Sequence, residues 1–197
     1  MKPMLNKILV YLLIGVIYMF NGYGCSAGVE YEIYSSKDSE INITINYISG
    51  WSYREDRGSN NSYAQVVFYP PQSKDKGLGA VIAVTVKDIS RIGFKPQDIK
   101  GMADDLLSKR MKFKDAQVLS SSKIKIQGIE ALDIQLSYKT LDKIYALDAK
   151  LIPVKERVVI LKRENKFYLL RYENRKDEFD KFNKDFSHII KTLKFKK

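Results

Sequence analysis

The chain has 197 residues but only one cysteine, Cys25, and one histidine, His188. Two such residues build neither a structural zinc site nor a disulfide framework. His188 stands between Phe186 and Ile189 in a segment of helical period, where a lone histidine reads as packing or surface. Carboxylates are adjacent at Asp104 and Asp105 and clustered at Asp177, Glu178 and Asp180. Catalytic carboxylates must converge in a pocket that shifts their pKa values, whereas these read as a solvated helix face and a helix N-terminus. The sequence contains no P-loop, dinucleotide-binding fingerprint, HExxH pair or nucleophile elbow. No catalytic residue, metal ligand or cofactor is therefore assigned, and the chain is expected not to be an enzyme.

Positive charge is more plentiful. Lys and Arg number 34 against 23 Asp and Glu, a net +11. Residues 139–197 hold 17 of the cations and 9 of the acids, so the C-terminal third carries most of the excess. Lys162, Arg163, Lys166, Arg171, Arg175 and Lys176 form a candidate surface for anionic lipid, an acidic glycopolymer or a negatively charged protein. The competing reading is a merely basic soluble domain, since the cations alternate with carboxylates and form no block. Nucleic acid is not an expected partner, because no DNA- or RNA-reading motif is present. Trp51, the only tryptophan, follows Gly50 at a strand end and either covers a pocket mouth or packs as a strand terminus.

Cys25 owes its interest to position. Lys2 and Lys7 precede an apolar run over 8–20, which breaks at Asn21-Gly22-Tyr23-Gly24. This is the grammar of a signal peptide. A helix of 13 residues spans roughly 20 Å, short of the roughly 30 Å hydrocarbon core. Gly22-Tyr23-Gly24-Cys25 resembles the lipobox of bacterial lipoproteins, in which a small residue precedes the cysteine to be acylated, and Ser26 is acceptable behind it. Gly22 and Tyr23 depart from the Leu and the small or β-branched residue usual there, so ordinary cleavage after Gly24 or Ala27, giving a secreted or periplasmic protein, stays open. The resulting scheme is a signal peptide at 1–24, a tether at 25–36 and a single domain at 37–197.

The body must position whatever else functions. The composition, 45% hydrophobic and 29% charged, excludes a disordered tail and a many-span membrane protein. Polar and apolar residues alternate over 40–47, with Ile41, Ile43, Ile45 and Tyr47 on one face of a strand. Polar loops are expected at 54–62 and 72–79, and strands at 63–69, 80–87, 116–126, 129–138, 145–152, 157–163 and 166–172, the last two joined by a tight Glu164-Asn165 turn. Helical period recurs from Pro96, with Ile99, Met102, Ala103, Leu106, Leu107 and Met111 on one stripe. It recurs again at Phe179, Phe182, Phe186, Ile189, Ile190 and Leu193, with Lys191, Lys194, Lys196 and Lys197 at that helix's end. Two amphipathic helices need a sheet to cover, which predicts an α+β fold with a central antiparallel sheet flanked by helices. The final helix is expected to pack on Phe167, Leu169 and the 80–87 strand.

The order of these features resembles the PsbP-like family over most of the chain after the leader. The resemblance rests on Gly50-Trp51 closing a strand, Phe68-Tyr69-Pro70 before a loop, the 80–87 strand, the helix from Pro96, Gln127-Gly128-Ile129-Glu130-Ala131, the 167–172 strand and the closing Phe-rich helix. The nuclear-import factor that binds Ran looks like the same fold. The resemblance implies a PsbP-like sandwich in a non-catalytic binding or assembly module. Joined to the leader, it implies an exported protein held at the bacterial envelope membrane by a lipid on Cys25. A secreted enzyme with an unrecognised site and a purely structural envelope component are the alternatives. Photosystem-associated members act through metal-ion retention and docking, but no residue here matches a metal ligand of theirs.

Overall fold

The structure is a computed structural model that describes residues 29–71, 79–90, 96–142 and 148–196. Cys25 and the leader lie outside the described residues. The chain divides into two units, Met1–Glu30 and Tyr31–Lys197, and the second contains the fold.

Among the described residues, ten strands make two antiparallel sheets: β1 (Tyr31–Ser35), β2 (Ile43–Ile48), β3 (Ser52–Arg57), β4 (Ala64–Tyr69), β5 (Val81–Asp88), β6 (Lys114–Ile126), β7 (Ile129–Leu141), β8 (Leu151–Arg163), β9 (Lys166–Arg175) and β10 (Lys194–Phe195). Helix α1 (Ile99–Arg110) joins β5 to β6, and α2 (Phe179–Thr192) follows β9. The large sheet runs β3-β4-β5-β9-β8-β7-β6 and the small one β1-β2-β10. After β5 the chain crosses by α1 to the far edge and returns through three hairpins until β9 pairs with β5. Two of these turns carry residues at positive φ, Gln127 (51°) with Gly128 (80°) and Glu164 (55°), the conformation tight hairpins with native strand twist require.

Strand alternation sorts side chains to two faces. On β9, Tyr168, Leu170 and Tyr172 join a core with α2 and the small sheet, while Phe167 and Leu169 join a second core under Met102, Ala103 and Leu106 of α1. The expectation that Phe167 and Leu169 lie beneath the final helix is therefore corrected by one step of parity. Helix α2 instead buries Phe179, Phe186 and Ile189, followed by Leu193, against the opposite face. Its entry is tied to β9 by Tyr172 Oη donating to the Phe179 carbonyl (2.7 Å) and Asn174 Nδ2 donating to that of Glu178 (3.0 Å).

The expected helix-flanked sheet is present, with a helix on each face, but α2 shares its side with a second sheet that the sequence reading lacked. Other boundaries shift for local reasons. Residues 31–35, read as tether, form β1, anchored by fully buried Tyr34, whose ring meets Phe68 edge-on. The first four residues of the loop expected at 54–62 belong to β3, a charged edge strand, and Ser59–Asn61 form a single 3-10 turn. Of the strand expected at 145–152 only Leu151 and Ile152 belong to a strand, β8, which runs on through Pro153 to take in the strand expected at 157–163, while residues 148–150 lie outside it. Pro153 pairs with Lys139 of β7 and its carbonyl accepts from the Lys176 amide at 3.0 Å, so its ring nitrogen faces the β9 side, beyond the last β9 pair, Val154 with Arg175. Residues 145–147 lie outside the described residues. Helix α1 starts after Pro96, because Asp98 caps it by accepting from the Gly101 amide at 2.7 Å. At the chain's end, Lys194 belongs to β10 and Lys197 lies outside the described residues.

Candidate functional site

Along the α1-facing side of β8 the residues read Val154, Glu156, Val158, Ile160, so a carboxylate interrupts an apolar row. Glu156 is fully buried. A buried carboxylate needs a partner, and α1 ends in one: Arg110 grips Glu156 through Nε at 2.6 Å and Nη2 at 2.8 Å. Tyr138 Oη lies 2.8 Å from Glu173 and 3.1 Å from Glu156. The Arg110 guanidinium lies over the stacked rings of Phe113 and Tyr138. Desolvation would lower the Arg110 pKa, but the hydrogen bonds and charge of Glu156 raise it further above its ordinary value. Burial, then the charges of Glu173 and Glu156, push the Tyr138 phenol far up. Arg110 and Tyr138 thus keep their protons across the physiological range, and the cluster fixes the end of α1 rather than relaying protons.

Beside this knot lies a groove of about 250 Å³. One wall is the α1 face of Met102, Asp105, Leu106 and Lys109, spaced at three and four residues. The floor is the part of the large sheet that α1 leaves uncovered. Register brings Gln65, Thr85 and Leu169 into line across β4, β5 and β9, and Arg171 beside Val158 of β8. Tyr63 closes the end.

Among the described residues, the cations Lys87, Lys109, Arg110 and Arg171 border the groove. Asp105 takes Lys109 at 2.7 Å, and Glu156 is already held by two arms of Arg110. Arg171 stands 3.9 Å from Glu156, an ion pair too long for a hydrogen bond, and its side chain lines the groove. Burial first and Lys109 second lower the Lys87 pKa, with Asp105 opposing. Such a field favours an anion.

The basic residues singled out in the sequence do not meet on one surface. Arg171 is in the groove. Lys162 rims a separate hollow of about 460 Å³ with Lys100 and Lys123 and donates to the Gln97 carbonyl at 2.7 Å. Arg163 lies over the Phe195 ring and Lys166 pairs with Glu40 at 3.2 Å, both toward the small sheet. Arg175 pairs with Asp177 at 3.4 Å, and Lys176 is exposed beside it, at the far end of β9. Ten residues of strand span roughly 30 Å, which separates these pairs. Trp51 is 7% exposed and packs edge-on against Phe182, so it covers core and presents no surface to a partner. His188 stacks on Tyr31 at 3.9 Å, and its Nε2 is buried without a hydrogen-bond partner. Lys87, Lys109, Arg110 and Glu156 were not foreseen; Glu156 at a core-facing position of an apolar strand was the available signal. Among the described residues no three His, Cys, Asp or Glu side chains gather as a metal site, and no helix is long and apolar enough to cross a membrane.

No protein-family model and no curated protein sequence matches the chain. Solved structures do. A cyanobacterial PsbP protein from Synechocystis aligns over 87% of this chain and 96% of its own, with TM-score 0.56 and 12% identity. LpqN, described as involved in cell envelope biogenesis of Mycobacterium tuberculosis, aligns over 86% and 92%, with TM-score 0.53 and 14% identity. The Ran-binding protein Mog1p of Saccharomyces cerevisiae aligns over 85% and 96%, with TM-score 0.51 and 9% identity. Identities this low speak for architecture alone. The chain has the PsbP-like fold.

Proposed function

We propose that this chain is an exported, lipid-anchored binding or assembly module of the bacterial cell envelope, and that it acts without catalysis by holding an anionic group in the groove beside α1. The observation that carries the reading is Arg171, which lines the groove 3.9 Å from a Glu156 carboxylate that two arms of Arg110 already hold. The leader and the position of Cys25 support export and anchoring. The fold shared with LpqN and with cyanobacterial PsbP is consistent with a binding role.

Immobilised polyphosphate is a suitable probe for the purified full chain in detergent. Affinity should fall steeply between low and physiological ionic strength, as exposed charge pairs become screened. Reversing Lys109 and Arg171 together to Glu should slow association more than it speeds dissociation. Salt-independent binding, or an unchanged association rate in the double variant, would contradict the proposal.

A further inference from the structure

The groove contains more than an anion needs. Tyr63 is held at its end by Gly58: a Cβ on Gly58 would lie 2.4 and 2.6 Å from two carbons of the Tyr63 ring, so only glycine lets the ring settle against the backbone there. The Gly58 amide donates to the Tyr63 carbonyl at 2.9 Å and fixes the same corner. Gln65 and Thr85 face each other across β4 and β5, with Thr85 Oγ1 donating to Gln65 Oε1 at a weak 3.5 Å. The two amide protons of Gln65 are therefore available to a ligand. Arg171 stands opposite Ala83, two residues along β5 from Thr85, which is about 7 Å of strand.

We infer that the groove takes a single sugar ring bearing an acidic group, with the ring against Tyr63, its hydroxyls on Gln65 and Thr85, and its phosphoryl or carboxylate oxygens on the Arg171 fork. This rests on the proposed anion-binding role and adds the class of ligand. Three features carry it. A volume of about 250 Å³ falls just below the roughly 300–1,000 Å³ of sites for drug-sized ligands, which suits one ring with its substituent. A guanidinium binds planar or tetrahedral oxyanions through two parallel hydrogen bonds, which a lone lysine does not offer. An aromatic face with neighbouring amide and hydroxyl groups gives a hydroxylated ring both an apolar platform and directional partners, which a bare anion would not use.

The test is isothermal titration of the full chain in detergent with glucose 6-phosphate, glucuronate, glucose and inorganic phosphate. At least one acidic sugar should bind about tenfold or more tighter than glucose or inorganic phosphate, as expected when a charge-assisted contact is added to neutral ones. The tighter of the two identifies the acidic group as phosphoryl or carboxylate. Arg171→Gln should abolish the preference for acidic sugars. Tyr63→Ala and Thr85→Val should weaken the acidic sugar while leaving inorganic phosphate unchanged. The Glu156 carboxylate keeps Arg110 in every variant, and each variant should melt near the parent temperature. If inorganic phosphate binds as tightly as glucose 6-phosphate and Tyr63→Ala changes nothing, the sugar inference fails and the anion reading stands. If no anion binds, both fail.

Discussion

Glu156 shows what a buried charge does at the scale of one residue. Replacing it with Ala removes the carboxylate that both arms of Arg110 grip, which should cost about 3–5 kcal/mol in urea unfolding. Replacing both partners, Arg110→Met with Glu156→Leu, should restore most of that loss; a double variant as unstable as the single one would show that the site needs charge for its shape. Asp38 behaves differently because it is only half-buried and its partner Arg57 is exposed. Desolvation pushes its pKa up, but the hydrogen bonds from Arg57 and the Glu40 amide, with the charges of Arg57 and Lys166, hold it below the ordinary value. A carboxyl lowered in the folded state contributes stability above its unfolded pKa and loses it as pH falls through the folded one. Acid should therefore release the two-pronged Arg57 contact, 2.7 Å at each arm, and shift the Arg57 Nε–H resonance. Asp38→Asn should show the released shift already at neutral pH, and a resonance indifferent to pH would contradict this. Little of this was legible in sequence. The run from Lys162 to Lys176 looked like one surface because strand alternation and the β8–β9 turn, which scatter it over two faces, act in three dimensions.

At the scale of elements, α2 supplies Phe179, Phe186 and Ile189, and the residue after it, Leu193, all at most 1% exposed. Removing the chain from Asp177 onward should expose roughly 6–12 kcal/mol of apolar burial, comparable with the 5–15 kcal/mol stability of a whole domain. The truncated chain should show no cooperative melt, and a sharp transition near the parent temperature would mark α2 as an appendage. Both helices and most strands were readable because burial on one side imprints a period on the sequence, as in Ile43, Ile45 and Tyr47 of β2. The elements that stayed hidden lack that imprint. β3 is an edge strand with charges on both sides, β1 buries one side chain in five, and β10 is two residues long. The groove stayed hidden for a related reason: its floor comes from β4, β5, β8 and β9, whose register no local pattern encodes.

At the scale of the whole molecule, the strand order was not legible in the sequence, since seven strands in a sheet admit many orders with the same alternation. β1 begins at Tyr31, inside the 25–36 span expected to be a tether. Six steps of extended chain from Cys25 to Tyr31 reach about 20 Å at most, so a lipid on Cys25 would keep β1 close to the membrane surface. One acyl chain gives only marginal residence, while two or three hold a protein firmly. Cys25→Ser should leave the fold intact and move the protein from the detergent phase to the aqueous one. Anchoring decides whether the groove meets its ligand at a membrane or in free solution, and intact-mass spectrometry of the chain recovered from bacterial membranes measures it directly. The account predicts a mature chain that begins at Cys25 and carries the added mass of two or three acyl chains. An unmodified chain that begins at Cys25 or at Gly28 would contradict it.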